Sequence, residues 1–120
     1  MPDFQCYPNE GIPYLVTTVV KDRQPLFGEH GCRQIVIDGI RFLRTCVGHR
    51  VHAYVLMPDH VHLVVTPRED GNVSQVMYSL KLHTARQIGA LLGSQGGIWQ
   101  ARFYERALRT RKDVEGALAY

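Results

Sequence analysis

The sequence predicts an α+β domain: a split β-α-β arrangement giving an antiparallel sheet with both long helices on one face. Three observations carry this. Four β-rich runs alternate with two long amphipathic runs in the order β-α-β-β-α-β, and a short helical segment follows. The second and third strand runs are separated only by Pro58-Asp59, too short for anything but a hairpin turn. The chain has 120 residues, 45% hydrophobic and 21% charged, an ordinary profile for one globular domain with a modest core.

Residues 1–12 hold two prolines and little periodicity, so they read as an irregular lead-in. Residues 13–20, "PYLVTTVV", are β-branched and aromatic and predict the first strand. "KDRQPLFGEHG" is a loop. Residues 31–48 then show helical spacing, with Cys32, Ile35, Val36, Ile40, Leu43 and Val47 on one stripe and Arg33, Arg41 and Arg44 mostly off it. Residues 51–57 and 60–66 predict the second and third strands. After the polar "PREDGN", Asn72 is placed to cap a helix with Gln75 completing a capping box. Val73, Val76, Met77, Leu80, Thr84, Ile88 and Leu91 continue that helix to about residue 92, where "GSQGG" stops it. In residues 98–109, Phe103, Glu105 and Ala107 alternate against Tyr104, Arg106 and Leu108, which predicts a fourth strand. Thr110 with Asp113 reads as a capping box opening a last helix, which reaches Tyr120, the final residue, after about three turns. A domain rarely stops inside a helix, so the chain reads as one cut short.

Several classes are excluded or left open. No apolar stretch approaches the ~20 residues of a membrane span. The opening "MPDFQCYPNE" has neither a basic region nor an apolar core, so no secretory signal is visible. Three cysteines without metal-type spacing fit reduced thiols in a cytoplasm, with Cys32 and Cys46 expected as small core residues. A net charge of +3 and a pI near 8.9 permit a nucleic-acid partner without demanding one. There are no repeats and no low-complexity tract.

The feature that asks for an explanation is "MPDHVHLVVT", residues 57–66. Side chains alternate along a strand, so His60 and His62 share one face, their Cα atoms roughly 6.5–7 Å apart. Val61, Leu63 and Val65 take the other face, the natural one to pack beneath the helices. An arbitrary His-x-His is more often a pair of partly exposed histidines. Here the pair opens a central strand, lies off the packing face, and follows an Asp59 that tightens the turn. Two rings at this spacing can converge on one metal ion, though a third ligand would still be needed. His52 and Tyr54, on the neighbouring strand, line the same face if the strand offset allows it. His30, His49 and His83 read as ordinary surface histidines.

At these residues the chain resembles a known family. "YVLMPDHVHLVV" (54–65) resembles the motif of the single-tyrosine HUH transposases, in which a hydrophobic residue separates two histidines. "YLVTTVVKDRQPLF" (14–27) is similar to that family's first strand and following loop. "IWQARFYERALRTRKDVEGALAY" (98–120) is similar to the segment that precedes and enters the nucleophile helix. The REP-associated branch is the closest in pattern, and the resemblance covers roughly residues 13–120. It implies a ferredoxin-like sheet and a C-terminal nucleophile helix. It also implies a divalent ion, Mg2+ or Mn2+, held by His60 and His62, and Tyr120 as the catalytic nucleophile. Helical geometry partly agrees, since Tyr120 projects well away from the Val114, Ala117 and Leu118 stripe. Tyr104 is the rival tyrosine, its alternation suiting packing or DNA contact. One departure stands out: the family's helix continues with a Tyr-x-x-x-Asn-Pro pattern whose polar side chain helps complete the metal site, and no such residue follows Tyr120 here.

The resemblance implies attack by the Tyr120 oxygen on a phosphodiester of single-stranded, hairpin-containing DNA, forming a 5′-phosphotyrosine link and a free 3′-OH, then rejoining. Two imidazoles alone would suit zinc or another transition ion; the family's magnesium or manganese draws oxygens from phosphate and water. DNA contact is expected of Arg102, Arg106, Arg109, Arg111 and Lys112, with Lys81 and Arg86 on the second helix, and stacking of Trp99, Phe103 and Tyr104. Each of these singly is as readily a core anchor or a solvated charge. A homodimer sharing the tyrosine occurs among insertion-sequence relatives; the REP-associated branch need not form one. The competing readings are a non-catalytic nucleic-acid-binding domain on the same fold and a zinc-stabilised module unrelated to DNA.

Overall fold

The computed structural model describes residues 11–93 and 97–118. Most of the expected lead-in, part of the "GSQGG" stop, and Tyr120 therefore lie outside the described residues. Strands β1 (Tyr14–Val20), β2 (Arg50–Met57), β3 (His60–Thr66) and β4 (Trp99–Ala107) form one antiparallel sheet in the order β2-β3-β1-β4. Helices α1 (His30–Phe42) and α2 (Val73–Leu92) connect them, and α3 (Arg111–Leu118) follows. This is the split β-α-β, α+β arrangement predicted from the element order, and the ferredoxin-like sheet that the resemblance implies.

The core lies between the sheet and the two long helices. Val61, Leu63 and Val65 are fully buried on one side of β3, against Cys32, Val36, Ile40 and Leu43 of the first helical run and Val76, Met77, Leu80 and Ile88 of α2. Each such aliphatic side chain contributes about 1.5–3 kcal/mol when removed from water. The Cys32 thiol, pushed up to about 11 by burial, behaves as one of these apolar groups. The helices meet closely at Gly39, where an added Cβ would come within 2.7 Å of Thr84 Cγ2. Both capping boxes form. Asn72 accepts from the Gln75 N–H at 2.9 Å while the Gln75 side chain accepts from the Asn72 N–H at 3.1 Å. Asp113 accepts from the Thr110 N–H at 3.2 Å while Thr110 Oγ1 accepts from the Asp113 N–H at 3.0 Å.

Four expectations are corrected. The loop after β1 contains two short turns, a left-handed one at Lys21–Arg23 and a 3₁₀ one at Leu26–Gly28, and Glu29 caps α1 through the Gly31 N–H. The helix expected over 31–48 is regular only to Phe42, then passes through a π-helical turn, Leu43–Val47, and stops at Gly48 with φ +93°. A π-turn advances less per residue than an α-turn. Cys46 is accordingly rotated into solvent, not into the core. His49 is 3% exposed, not a surface histidine: its Nδ1 accepts from the Arg68 N–H at 2.9 Å. Burial, with Arg68 nearby, holds its imidazole below the ordinary range. His30 is exposed, and His83 is half-buried with its ring stacked 4.5 Å from Phe42. None of the described helices is long and apolar enough to cross a membrane.

Candidate functional site

The register shows which side chains share the helix-free face. Thr17 on β1 lies opposite both His62 on β3 and Tyr104 on β4, and Val55 on β2 lies opposite His62. One row therefore crosses the sheet as Val55, His62, Thr17, Tyr104. The next row is Ala53, Val64, Leu15, Arg106. Tyr104 is 62% exposed in this row. A shift between Val51 and Ala53 sends His52 to Thr66, with His52 Nε2 2.8 Å from Thr66 Oγ1, whereas Tyr54 pairs with Leu63 and so turns to the helix side. Only His52 of that expected pair joins the histidine face.

His60 and His62 are both half-buried, with ring centroids 4.8 Å apart in an edge-to-face arrangement. Each ring is oriented through Nδ1. His60 Nδ1 donates to Asp59 Oδ1 at 2.7 Å, and Arg23 Nη1 donates to Asp59 Oδ2 at 3.0 Å. The bond to His60, with Arg23 beside it, holds the Asp59 carboxyl below the usual carboxylate range. His62 Nδ1 lies 2.8 Å from Thr17 Oγ1. Burial, then the neighbouring His60, keep the His62 imidazole below its ordinary range and so favour the neutral ring. Neutral imidazole is the form that ligates metals. With Nδ1 engaged in each ring, ligation by both histidines would use Nε2, and bonds that fix ring orientation in this way are characteristic of metal-ligating histidines. The donor set thus suits a divalent ion as two of its ligands. Among the described residues no group of three or more His, Cys, Asp or Glu side chains gathers for a metal.

The last helix borders this face. Ala117 and Leu118 of α3 line a small cleft of about 60 Å³ together with Leu15, Val55, His62 and Val64. Among the expected DNA contacts, Arg102, Arg106, Arg109, Arg111 and Lys112 are all exposed, and Arg111 pairs with Glu115 on its own helix at 3.4 Å. Three expectations fail. Trp99 does not offer a stacking face: it is 8% exposed, donates to Thr84 Oγ1 at 2.9 Å and packs 5.5 Å from Phe27. Phe103 packs against the core on the helix side. Lys81 ties α2 to β4, donating to the Gln100 carbonyl at 2.8 Å and the Arg102 carbonyl at 3.2 Å. The roles of Thr17, Asp59 and Arg23 escaped the sequence reading. Asp59 next to His60 was the signal available for one of them; Thr17 and Arg23 gave none.

A ferredoxin-like sheet bearing an oriented His-x-His pair on the face opposite its long helices is the arrangement that the resemblance to the HUH transposases implies. The family model described as "Transposase IS200 like" matches residues 10–113, and the chain belongs to that family. A curated Haemophilus influenzae protein described as a "Putative REP-associated tyrosine transposase" is 32% identical over 78 residues, covering 57% of this chain and 44% of that protein. The chain thus spans under half the length of that relative. Among solved structures, a REP-associated tyrosine transposase bound to a REP hairpin is 26% identical with a TM-score of 0.71, covering all of this chain and 70% of the other. A crystal structure described as a "putative transposase" from Deinococcus radiodurans R1, 18% identical with a TM-score of 0.65, covers 89% of this chain and 86% of the other and shares the fold.

Proposed function

We propose that this domain cleaves and rejoins single-stranded DNA through a 5′-phosphotyrosine intermediate, with a divalent ion, Mg2+ or Mn2+, held by His60 and His62. The observation that carries the reading is the oriented histidine pair, each ring bonded through Nδ1, on the face bordered by α3. A bound divalent ion supplies Lewis-acid polarisation of the scissile phosphate and stabilises the leaving oxygen. Tyr120 is the nucleophile: its oxygen bonds to phosphorus, the P–O3′ bond breaks, and a 3′-OH is released. Ala117 and Leu118, on the helix that leads to Tyr120, share a cleft with His62, which supports that assignment. Arg102, Arg106, Arg109, Arg111 and Lys112 neutralise phosphates, and Tyr104 stacks on a base. By likeness to the hairpin-bound relative, the substrate carries a hairpin. The protein works in the cytoplasm, where its free thiols stay reduced.

The test is incubation with a labelled, hairpin-bearing single strand and Mn2+. A covalent adduct that disappears in Tyr120→Phe and in His60→Ala supports the proposal. Binding with no adduct at any metal concentration overturns it and leaves a non-catalytic DNA-binding domain; no DNA binding alongside tight zinc binding leaves a module unrelated to DNA.

A further inference from the structure

We propose that Arg23 and Asp59 form a positioning chain that fixes His60 in the tautomer protonated at Nδ1, so that Nε2 is the ligating nitrogen. The use made of that nitrogen rests on the function proposed above; the tautomer itself does not.

Both carboxylate oxygens of Asp59 are engaged. Oδ1 accepts from His60 Nδ1 at 2.7 Å and Oδ2 accepts from Arg23 Nη1 at 3.0 Å, so the carboxylate is held in one orientation from two sides. An ionised carboxylate only accepts, so the proton of this bond belongs to the imidazole. The backbone carrying Asp59 is equally fixed: the Val20 N–H donates to the Asp59 carbonyl at 2.8 Å and the Phe27 N–H to the Pro58 carbonyl at 3.0 Å. The edge-to-face packing of the His60 and His62 rings, at 85°, confines the His60 plane from the other direction.

Arg23 arrives by an unusual route. Asp22 and Arg23 are consecutive non-glycine residues in the left-handed region, with φ of 59° and 53°. Aspartate tolerates that conformation; arginine has no local bond to compensate for it. The Arg23 side chain is 64% exposed, and an ion pair so exposed adds little to fold stability. A strained backbone retained for a weakly stabilising contact, one residue from a candidate ligand, fits a positional role.

The test uses all 120 residues, metal-free and DNA-free, at mildly alkaline pH. Long-range ¹H–¹⁵N correlation of the imidazole nitrogens reads the tautomer directly. The wild type should show His60 protonated at Nδ1. Asp59→Ala should shift it toward the Nε2-protonated form that an imidazole in water favours, and Asp59→Asn should do the same, because its one amide oxygen is kept by Arg23 and its NH2 turns to His60 Nδ1, which must then accept. Mn2+ affinity, read by electron paramagnetic resonance, should fall about 10- to 100-fold in both variants. The retained backbone bonds of residues 58 and 59 should keep both variants folded, checked by the dispersion of the same spectra. A wild-type His60 protonated at Nε2, or an Asp59→Ala tautomer and affinity equal to wild type, overturns the proposal. A wild type with Nδ1–H that takes up no Mn2+ upholds the tautomer and removes the metal centre instead.

Discussion

Trp99 and Tyr104 are aromatic residues five positions apart on one strand, and they should fail in opposite ways when changed. Trp99→Phe removes the buried bond to Thr84 Oγ1, about 1 kcal/mol net. The Thr84 hydroxyl keeps its own bond to the Leu80 carbonyl at 2.7 Å, so no donor is orphaned. The smaller ring also forfeits apolar contact with Phe27 and leaves a partial cavity, about 1–2 kcal/mol more. The sum, about 2–3 kcal/mol, corresponds to a drop in Tm of about 10 °C for a chain of this size. Single-strand affinity per folded molecule should not change. Tyr104→Ala should do the reverse. Its side chain is largely exposed, so stability should stay within about 0.5 kcal/mol. Loss of a stacking platform should weaken single-strand binding by about 5- to 150-fold. Urea unfolding gives the stabilities and fluorescence anisotropy with a labelled strand, at one fixed salt concentration, gives the affinities. A Trp99→Phe variant of wild-type stability but weakened DNA binding would show that the indole faces DNA and refute the burial argument.

Two further outcomes follow from the core. Gly39→Ala should destabilise by about 1–3 kcal/mol in urea unfolding, because its Cβ would press on Thr84 Cγ2 at 2.7 Å and Leu80 Cδ1 at 3.1 Å and force the helices apart. Stability should also fall as pH drops through about 6.5, the ordinary histidine pKa: His49 is depressed in the fold by burial, so the unfolded chain binds the proton first and stability is lost below that point. His49→Asn retains an acceptor for the Arg68 N–H but not the titration, so its stability should change less between pH 7.5 and 5.5; an equal slope in both proteins would remove His49 as a source.

Much of this molecule could be read from periodicity. β3 is legible because its alternation is strict and Pro58-Asp59 pins its start, which separates the Val61, Leu63 and Val65 face from the His60 and His62 face. The capping boxes were legible because their partners are three residues apart. What escaped depends on contacts distant in sequence. Thr17 reaches His62 across 45 positions and Arg23 reaches Asp59 across 36, and only the strand register and the left-handed turn bring them together. Tyr54 changed face because a register shift in β2 inserted His52, a local event that alternation cannot reveal. His49 and Trp99 were misplaced because exposure is set by what packs over a residue, here the segment at Arg68 and the Thr84 hydroxyl.

The histidine face also explains how a sheet tolerates such residues at its centre. A half-buried imidazole needs a hydrogen-bond partner, or it carries a desolvation cost of about 1–3 kcal/mol. Thr17 and Asp59 supply one partner to each ring, and both do so through Nδ1. If stability alone governed the arrangement, apolar residues at 60 and 62 would serve better, since replacing a hydrogen-bonded pair by packed apolar groups is close to neutral or stabilising. The rings are instead kept and each supported through the same nitrogen, with a strained turn at Asp22 and Arg23 maintained behind one of them. That combination is expected where two nitrogens must be presented together, and it is why the geometry of the Nδ1 partners argues for the chemistry of Nε2.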